Sequence, residues 1–378
     1  MKVILFANTA WYLYNFRLPL ALALRARGCQ VMLASPAEAP YGARLEQAGF
    51  ESLVIPFQRR GVRPLVELAT LGKIIALYRR LRPDVVHHFT VKPVLYGSIA
   101  AHLSGVKTII NAVPGLGYVF TAQGAQARLL RGLASALYRL ALVNTQVIFQ
   151  NPDDLGSFVQ AGLVNPRQAW LIRGSGVDVD WFTPSEEPQG VPLVVLPARM
   201  LWDKGVAEFV EAAAMLRSGG VAARFALVGA PDAGNPSSVE VSQLERWKKQ
   251  GLVEWWGWCE DMRAVYQAAS IVCLPSYREG APKTLIEAAA CGRAVVTSDA
   301  PGCREVVQHG YNGLLTPLKD SAALADNLRS LITDAELRRQ MGANGRRRAV
   351  AEFSLERVLA ETLSVYNGTI TGLRAGQR

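Results

Sequence analysis

Short apolar runs rich in β-branched residues alternate with helix-length segments almost from the start of the chain. In the first half the runs are Lys2–Asn8, Gln30–Ser35, Ser52–Phe57, Asp84–Phe89, Lys107–Val113, Thr145–Gln150 and Ala169–Arg173. Helix-like segments lie between them, among them Phe16–Arg27, Pro64–Leu81, Val94–Leu103 and Gln126–Val143. Runs that are apolar throughout suit strands buried on both faces, so this βαβα rhythm predicts a parallel sheet covered by helices. Around Thr183–Pro192 the chain becomes dense in Pro, Gly, Ser and Glu, which reads as an interdomain linker. The rhythm then restarts with Leu193–Ala198, Arg224–Val228, Val253–Trp258, Ile271–Pro275, Ala294–Ser298 and Gly313–Pro317. Helical segments fill Ser321–Ala351, and a last helix at Leu355–Tyr366 ends the fold before a Gly/Arg-rich, disordered tail, Asn367–Arg378. The pattern predicts an α/β chain with two Rossmann-like domains facing across a cleft. They span 1–183 and 191–353, followed by a C-terminal helix and tail, 354–378. Loops at the carboxyl ends of both sets of strands line such a cleft.

Composition adds limits. The chain has 378 residues, more than one ordinary core holds, and its 50% apolar and 19% charged residues suit a globular protein. No apolar run reaches the roughly 18 residues of a spanning helix, and Asn8 and Thr9 cut the Met1–Ala7 run too early for a signal peptide. The five scattered cysteines predict neither a disulfide framework nor a zinc site and fit a reducing cytoplasm. Charge is lopsided. Residues 1–185 hold 19 Lys+Arg against 9 Asp+Glu, whereas 186–378 hold 22 of each, so the whole excess of +10 sits in the first half. An anionic partner of that half is expected.

The densest chemistry lies in Ser276–Asp299. An apolar run leads into a polar turn, and a helix opens near Pro282, a residue tolerated where N–H groups lack partners anyway. Glu279 stands before this helix start and Glu287 in its second turn. The first-turn N–H groups between them form an anion site, so the stretch suits a ligand with central phosphate and hydroxyls at both ends, as in a sugar nucleotide. Arg199 and Lys204 follow the first strand of the second half. A guanidinium fork and an ammonium near one helix start can share a diphosphate, although as an isolated pair they read more readily as solvated surface cations.

Arg199-x4-Lys204-Gly205, the Val228-Gly229 strand end and Glu279-Gly280-x-Pro282-x4-Glu287-Ala288 together resemble the donor half of glycosyltransferase family 4, a group with the GT-B fold. Phe16-Arg17-x-Pro19, Lys92-Pro93-x3-Gly97, Gly115-Leu116-Gly117, Gly174-Ser175-Gly176-Val177-Asp178 and Ser298-Asp299-x2-Gly302-Cys303-x-Glu305 are similar to one branch of it. That branch extends polyprenyl-diphosphate-linked sugars and includes hexosaminyltransferases acting on lipid-linked bacillosamine. The resemblance covers about residues 2–365. It implies that Arg199 and Lys204 hold the donor diphosphate, Glu279 the sugar hydroxyls and Glu287 the ribose. It also implies that the backbone of Gly280, Ala281, Pro282, Lys283, Thr284 and Leu285, with Gly229, approaches the nucleotide sugar. Lys283 departs from the apolar or small residue expected there, and either adds a phosphate contact or points to solvent.

The first half supplies acceptor candidates. Arg17, at the start of a helix, is read as a contact for an acceptor diphosphate, with Lys92 and Tyr14 as further candidates. The bulky loop with Trp11, Tyr12 and Tyr14 serves either the acceptor or ordinary packing. His88 stands either beside the donor sugar, as a His does in many relatives, or in the core. Alternation on a strand lets only one of His87 and His88 reach the cleft. Asp178-Val-Asp180 imitates a metal signature of another fold, but it fits the family's Gly-Val-Asp-x-x-x-Phe turn, and no metal or other cofactor is expected. Two segments hold much of the positive excess. Gln58–Arg82 carries Arg59, Arg60, Arg63, Lys73, Arg79, Arg80 and Arg82 against Glu67, and Gln126–Val143 carries Arg128, Arg131 and Arg139 without an acid. Basic amphipathic helices of this kind suit an anionic membrane surface, and no nucleic-acid motif accompanies them.

The resemblance thus implies a retaining glycosyltransferase. It would move a sugar, an N-acetylhexosamine by expectation, from a UDP donor to a lipid-diphosphate-linked saccharide. It would work peripherally at the cytoplasmic face of the cell membrane. The rivals are a GT-B-fold sugar-nucleotide epimerase and a catalytically silent nucleotide-sugar-binding partner.

Overall fold

The computed structural model describes residues 1–57, 64–115 and 125–369, the side chains of 125–131 and of Thr369 excepted. The chain forms two compact units, one of Met1–Ser175 with the C-terminal stretch from Leu359, the other of Gly176–Val358. Every predicted apolar run becomes a strand, most of them trimmed at the ends. The first unit holds β1 (Lys2–Phe6), β2 (Gln30–Ser35), β3 (Glu51–Val54), β4 (Val85–Phe89), β5 (Thr108–Val113), β6 (Gln146–Phe149) and β7 (Ala169–Leu171). They pair in parallel in the order β3-β2-β1-β4-β5-β6-β7. The second unit holds β8 (Leu193–Pro197), β9 (Arg224–Val228), β10 (Glu254–Gly257), β11 (Ile271–Leu274), β12 (Ala294–Ser298) and β13 (Gly313–Thr316). Their order is β10-β9-β8-β11-β12-β13, again parallel. Both are doubly wound sheets in which the direction of strand addition reverses once, at β1/β4 and at β8/β11. Loops from the two strands at a reversal leave toward opposite faces and open a crevice between them.

Cores form on both faces of each sheet. In the second unit Val194, Leu196 and Phe209 pack on one side, and Val195, Val272, Leu285 and Phe353 on the other. Covered faces explain why the strands are apolar throughout rather than alternating.

Three features differ from the sequence pattern. The chain passes between the units at Ser175/Gly176, not at Thr183–Pro192. The breaker-rich segment is fastened to the second unit instead: Arg338 pairs with Glu187 at 2.8 Å, and Arg293 donates to the Ser185 hydroxyl at 2.5 Å. The last helix, Leu355–Thr369, joins the first unit from Leu359 onward. The tail from 370 lies outside the described residues, as do 58–63 with Arg59, Arg60 and Arg63. The helices expected at Phe16–Arg27 and Val94–Leu103 each contain a π turn, Leu13–Arg17 and Pro93–Gly97. Pro19 lacks the N–H that a regular α-helix returns to the fourth residue before, and the first wider turn precedes it, whereas Pro93 lies in the first turn of its helix, where its missing N–H costs no helical bond.

His87 and His88 point to opposite faces of β4, but both faces are covered, so neither reaches solvent. His88 is a core residue, which corrects its reading as a catalytic candidate. Its Nε2 bonds the Tyr78 hydroxyl at 3.0 Å and its Nδ1 the Asn111 side-chain oxygen at 3.0 Å. Gly97 packs so close that a Cβ there would lie 2.6 Å from the imidazole. Burial lowers the His88 pKa to about 3, and burial together with the Arg17 charge holds His87 well below the ordinary value. Both imidazoles are therefore neutral in the fold, and acid destabilises it. As pH falls below about 6.5 the unfolded chain takes up protons that the folded one refuses. Imidazole NMR resonances of His87 and His88 should stay at their neutral positions down to pH 5, whereas protonation of either near pH 6.5 would contradict the buried network.

Candidate active site

In the second unit, four segments meet at the β8/β11 reversal. After β8 the chain makes a 3-10 turn, Trp202–Lys204, and enters the helix Val206–Ser218 through Gly205 at φ +72°. A Cβ on Gly205 would fall 2.2 Å from the Pro275 carbonyl oxygen, so only glycine lets this turn lie on the end of β11. The loop after β11 is tied to the same turn. Tyr277 N–H donates to the Asp203 carbonyl at 3.0 Å, and the Ser276 hydroxyl to the same oxygen at 3.2 Å. Glu279 N–H donates to Pro301 O at 3.0 Å, and Gly302, at φ +82°, has the Glu279 carbonyl where a Cβ would sit. After β9, Gly229 lies against the Ala198 carbonyl oxygen, 1.9 Å from where its Cβ would be.

These fastenings bring the predicted donor residues together. Lys204 and Glu279 form an ion pair with both side chains about 15% exposed (15% and 16%). Arg199, 47% exposed, reaches Asp232 at 2.7 Å, an acid that no spacing in the sequence marks. The helix Lys283–Ala290 begins one residue later than expected, with Pro282 as its N-cap. Its Thr284 hydroxyl donates to the Pro197 carbonyl at 3.1 Å, fixing the helix start on the end of β8. Leu285 is buried in the core, so only its backbone is available to a ligand, and Gly280 and Pro282 are also buried.

Glu287 is buried yet polar on both oxygens. Tyr266 donates to Oε2 at 2.9 Å, and the Lys283 ammonium stands 3.3 Å from Oε1. Burial pushes the Glu287 carboxyl up, while Lys283 and the Tyr266 hydroxyl pull it back. Tyr266 and Asp232 are functional neighbours that spacing could not reveal. The same holds for Tyr277, which donates to Glu208 at 2.6 Å and carries Lys319 over its ring at 4.8 Å. Asp178 Oδ1 accepts the N–H groups of Asp180 and Trp181, each at 3.0 Å, and so closes a turn.

In the first unit the expected acceptor residues gather near the β1/β4 reversal, but in structural company. Arg17 is 6% exposed, donates to the Tyr12 hydroxyl at 2.9 Å, and stacks its guanidinium over Phe89 at 4.4 Å. Its Nε is buried with no hydrogen-bond partner. Lys92 pairs with Glu67 at 2.7 Å, and Tyr14 lies against Tyr41 and Arg44. Leu116 and Gly117 lie outside the described residues.

Residues 2–151 match the family model Glycosyl transferase 4-like, and residues 179–348 match Glycosyl transferases group 1. The N,N'-diacetylbacillosaminyl-diphospho-undecaprenol alpha-1,3-N-acetylgalactosaminyltransferase of Campylobacter jejuni is 29% identical, over 98% of this chain and 99% of its own. The UDP-Gal:alpha-D-GlcNAc-diphosphoundecaprenol alpha-1,3-galactosyltransferase of Escherichia coli is 23% identical over 82% of each chain. The Anabaena protein HepE, solved with UDP and glucose, superposes with a TM-score of 0.80 at 22% identity, over 96% of this chain and 99% of its own.

Since the Lys204 turn depends on a residue without a Cβ, Gly205→Ala should cost about 2 kcal/mol or more of stability. It should lower the thermal midpoint by several degrees and raise the KM for the donor. An unchanged midpoint and KM would show that the turn tolerates displacement from Pro275.

Proposed function

We propose that this chain, which belongs to the family-4-like glycosyltransferases of GT-B fold, moves a sugar from UDP to a saccharide carried on a polyprenyl diphosphate. The observation that carries the reading is the convergence of Arg199, Lys204, Glu279, Glu287 and a helix start at one strand-order reversal. In this reading Glu287 takes the ribose hydroxyls, Glu279 those of the sugar, and Arg199 and Lys204 the diphosphate. When the glycosidic bond breaks, its electron pair goes to the diphosphate oxygen, the acceptor hydroxyl oxygen bonds the anomeric carbon and its proton leaves. Charge builds where the two cations and the helix N–H groups already point, which stabilises the transition state without reorganisation. The leaving group is thus neutralised by side chains rather than by a divalent metal.

The donor sugar is an N-acetylhexosamine and the anomeric configuration is retained. Support for the first is the Campylobacter relative's name; support for the second is the alpha linkage named in both relatives, the configuration of a UDP-α-sugar. The acceptor diphosphate meets Arg17, a buried cation stacked on aromatic rings whose Nε has no hydrogen-bond partner among the described residues.

Work on a lipid-borne acceptor also calls for a membrane surface. Among the described residues no helix is long and apolar enough to cross a membrane. The helices Pro64–Leu81, Ser98–Leu103 and Ala125–Leu142 pack side by side in one layer. Their outer faces expose Leu65 (83%), Leu68, Leu103, Leu133 and Leu140, with Lys73, Arg79, Arg80 and Arg139 between them. No acidic side chain faces outward there, since Glu67 is turned in toward Lys92. The side chains of Arg128 and Arg131 lie outside the described residues. Leucines among cations suit the interface of an anionic bilayer, and this pattern supports peripheral attachment at the cytoplasmic face of the cell membrane.

Two experiments test these statements. With a panel of UDP-sugars, UDP release should depend on a lipid-diphosphate saccharide and persist in EDTA. Arg199→Ala and Lys204→Met should each lower kcat about 10²-fold or more, and Arg17→Ala should raise the acceptor KM. Isomerised donor without acceptor would favour the epimerase, and binding without turnover the silent partner. In co-sedimentation, Leu65→Asp/Leu68→Asp should release the protein from anionic vesicles several-fold, with transfer to a water-soluble short-chain acceptor retained; unchanged sedimentation would remove this face from the membrane contact.

A further inference from the structure

The first turn of the Lys283–Ala290 helix carries a cation that helix physics does not explain. A positive charge at a helix N-terminus opposes the macrodipole, and a lysine four residues before a glutamate is the poorer order for such a pair. Yet the Lys283 ammonium stands 3.3 Å from Glu287 Oε1, while Tyr266 occupies Oε2 at 2.9 Å. Without a ligand, then, both carboxylate oxygens are engaged by the protein itself. A carboxylate with 8% side-chain exposure needs such company, because an unpaired charge at that depth is costly. The Lys283 side chain is 31% exposed, whereas Thr284 is bonded to Pro197 O and Leu285 is fixed in the core.

We propose that Lys283 is a two-position cation: it neutralises Glu287 in the empty site and moves to the donor diphosphate once ribose hydroxyls take that carboxylate. The inference rests on the reading above, in which Glu287 holds the ribose and the helix start meets the phosphates. Its consequence is selectivity. A nucleoside without phosphates has to displace Lys283 and offers the ammonium nothing in return, whereas a nucleoside diphosphate supplies it with a second anion. The site therefore discriminates between UDP and uridine by more than the direct phosphate contacts of Arg199 and Lys204.

Calorimetric titration of the full chain with UDP and with uridine at pH 8 tests this. Lys283→Met should weaken UDP by about tenfold and leave uridine equal or tighter, while Lys283→Arg, which keeps the charge, should stay within a few-fold of the natural protein for UDP. Lys283→Met binding UDP as tightly as the natural protein would overturn the proposal. So would an equal loss of UDP and uridine, because Lys283 would then act only by holding Glu287. Glu287→Gln separates the premise from the inference. Unchanged uridine affinity in that variant defeats the ribose assignment itself, whereas a loss there combined with unaffected UDP binding in Lys283→Met defeats the lysine's second position alone.

Discussion

One backbone carbonyl, that of Asp203, ties together the two principal loops of the candidate site. At the β8/β11 reversal the two loops leave the sheet in different directions, and without a tie they would diverge. Asp203 accepts the Tyr277 N–H and the Ser276 hydroxyl, so the turn bearing Lys204 and the loop bearing Glu279 move as one. Gly205 makes the approach possible and Gly302 repeats the device from β12, its missing Cβ leaving room for the Glu279 carbonyl. The Lys204–Glu279 pair is then a consequence of backbone geometry rather than its cause. In a pair this buried the mutual attraction largely offsets the desolvation of the two charges, so it adds little net stability.

The charges of the site are accordingly paired within the protein. Arg199 rests on Asp232, Lys204 on Glu279 and Lys283 on Glu287. Each cation that would meet a diphosphate has a carboxylate to itself, two of them the acids that would meet hydroxyls. Such pairing keeps the fold from carrying unbalanced charge in a crevice, and a ligand bearing both phosphates and hydroxyls can exchange for every pair at once. The first unit is built differently. Arg17 is stacked on Tyr12 and Phe89, and burial, joined by the Arg17 charge, holds His87 unprotonated.

Much of this was legible in the chain before any coordinates. Strands buried on both faces leave apolar runs, so all the sheet elements announced themselves, and the donor residues stood out because glycines and carboxylates recur at fixed spacing around a helix start. What could not be read depends on contacts between distant segments. Tyr266 lies on a helix of its own, far from Glu287 in sequence, and nothing in its surroundings signals the bond. His88 looked like a site residue because it ends a strand, but the covering of both sheet faces, including the contact from Gly97, is a tertiary fact. Thr183–Pro192 reads as a linker by composition, but contacts such as those from Arg293 and Arg338 bind it to the second unit. Proline marked the places where the two π turns form, but a proline does not say by itself whether a helix ends, bends or widens.

The points where the chain enters and leaves the second unit lie side by side. Val177 N–H donates to Phe353 O at 2.9 Å and Leu355 N–H to Val177 O at 2.8 Å, with Gly176 so near Leu355 that a Cβ would sit 2.7 Å from its Cα. Topologically, residues 176–358 are an insertion into a Rossmann-like host whose final helix is supplied only after the insert is complete. The host is therefore not a contiguous gene segment, whereas the insert is. Recombination that swaps the inserted module has to cut at both neighbouring junctions, and a ribosome completes the first unit last, when Tyr366 finally reaches His87.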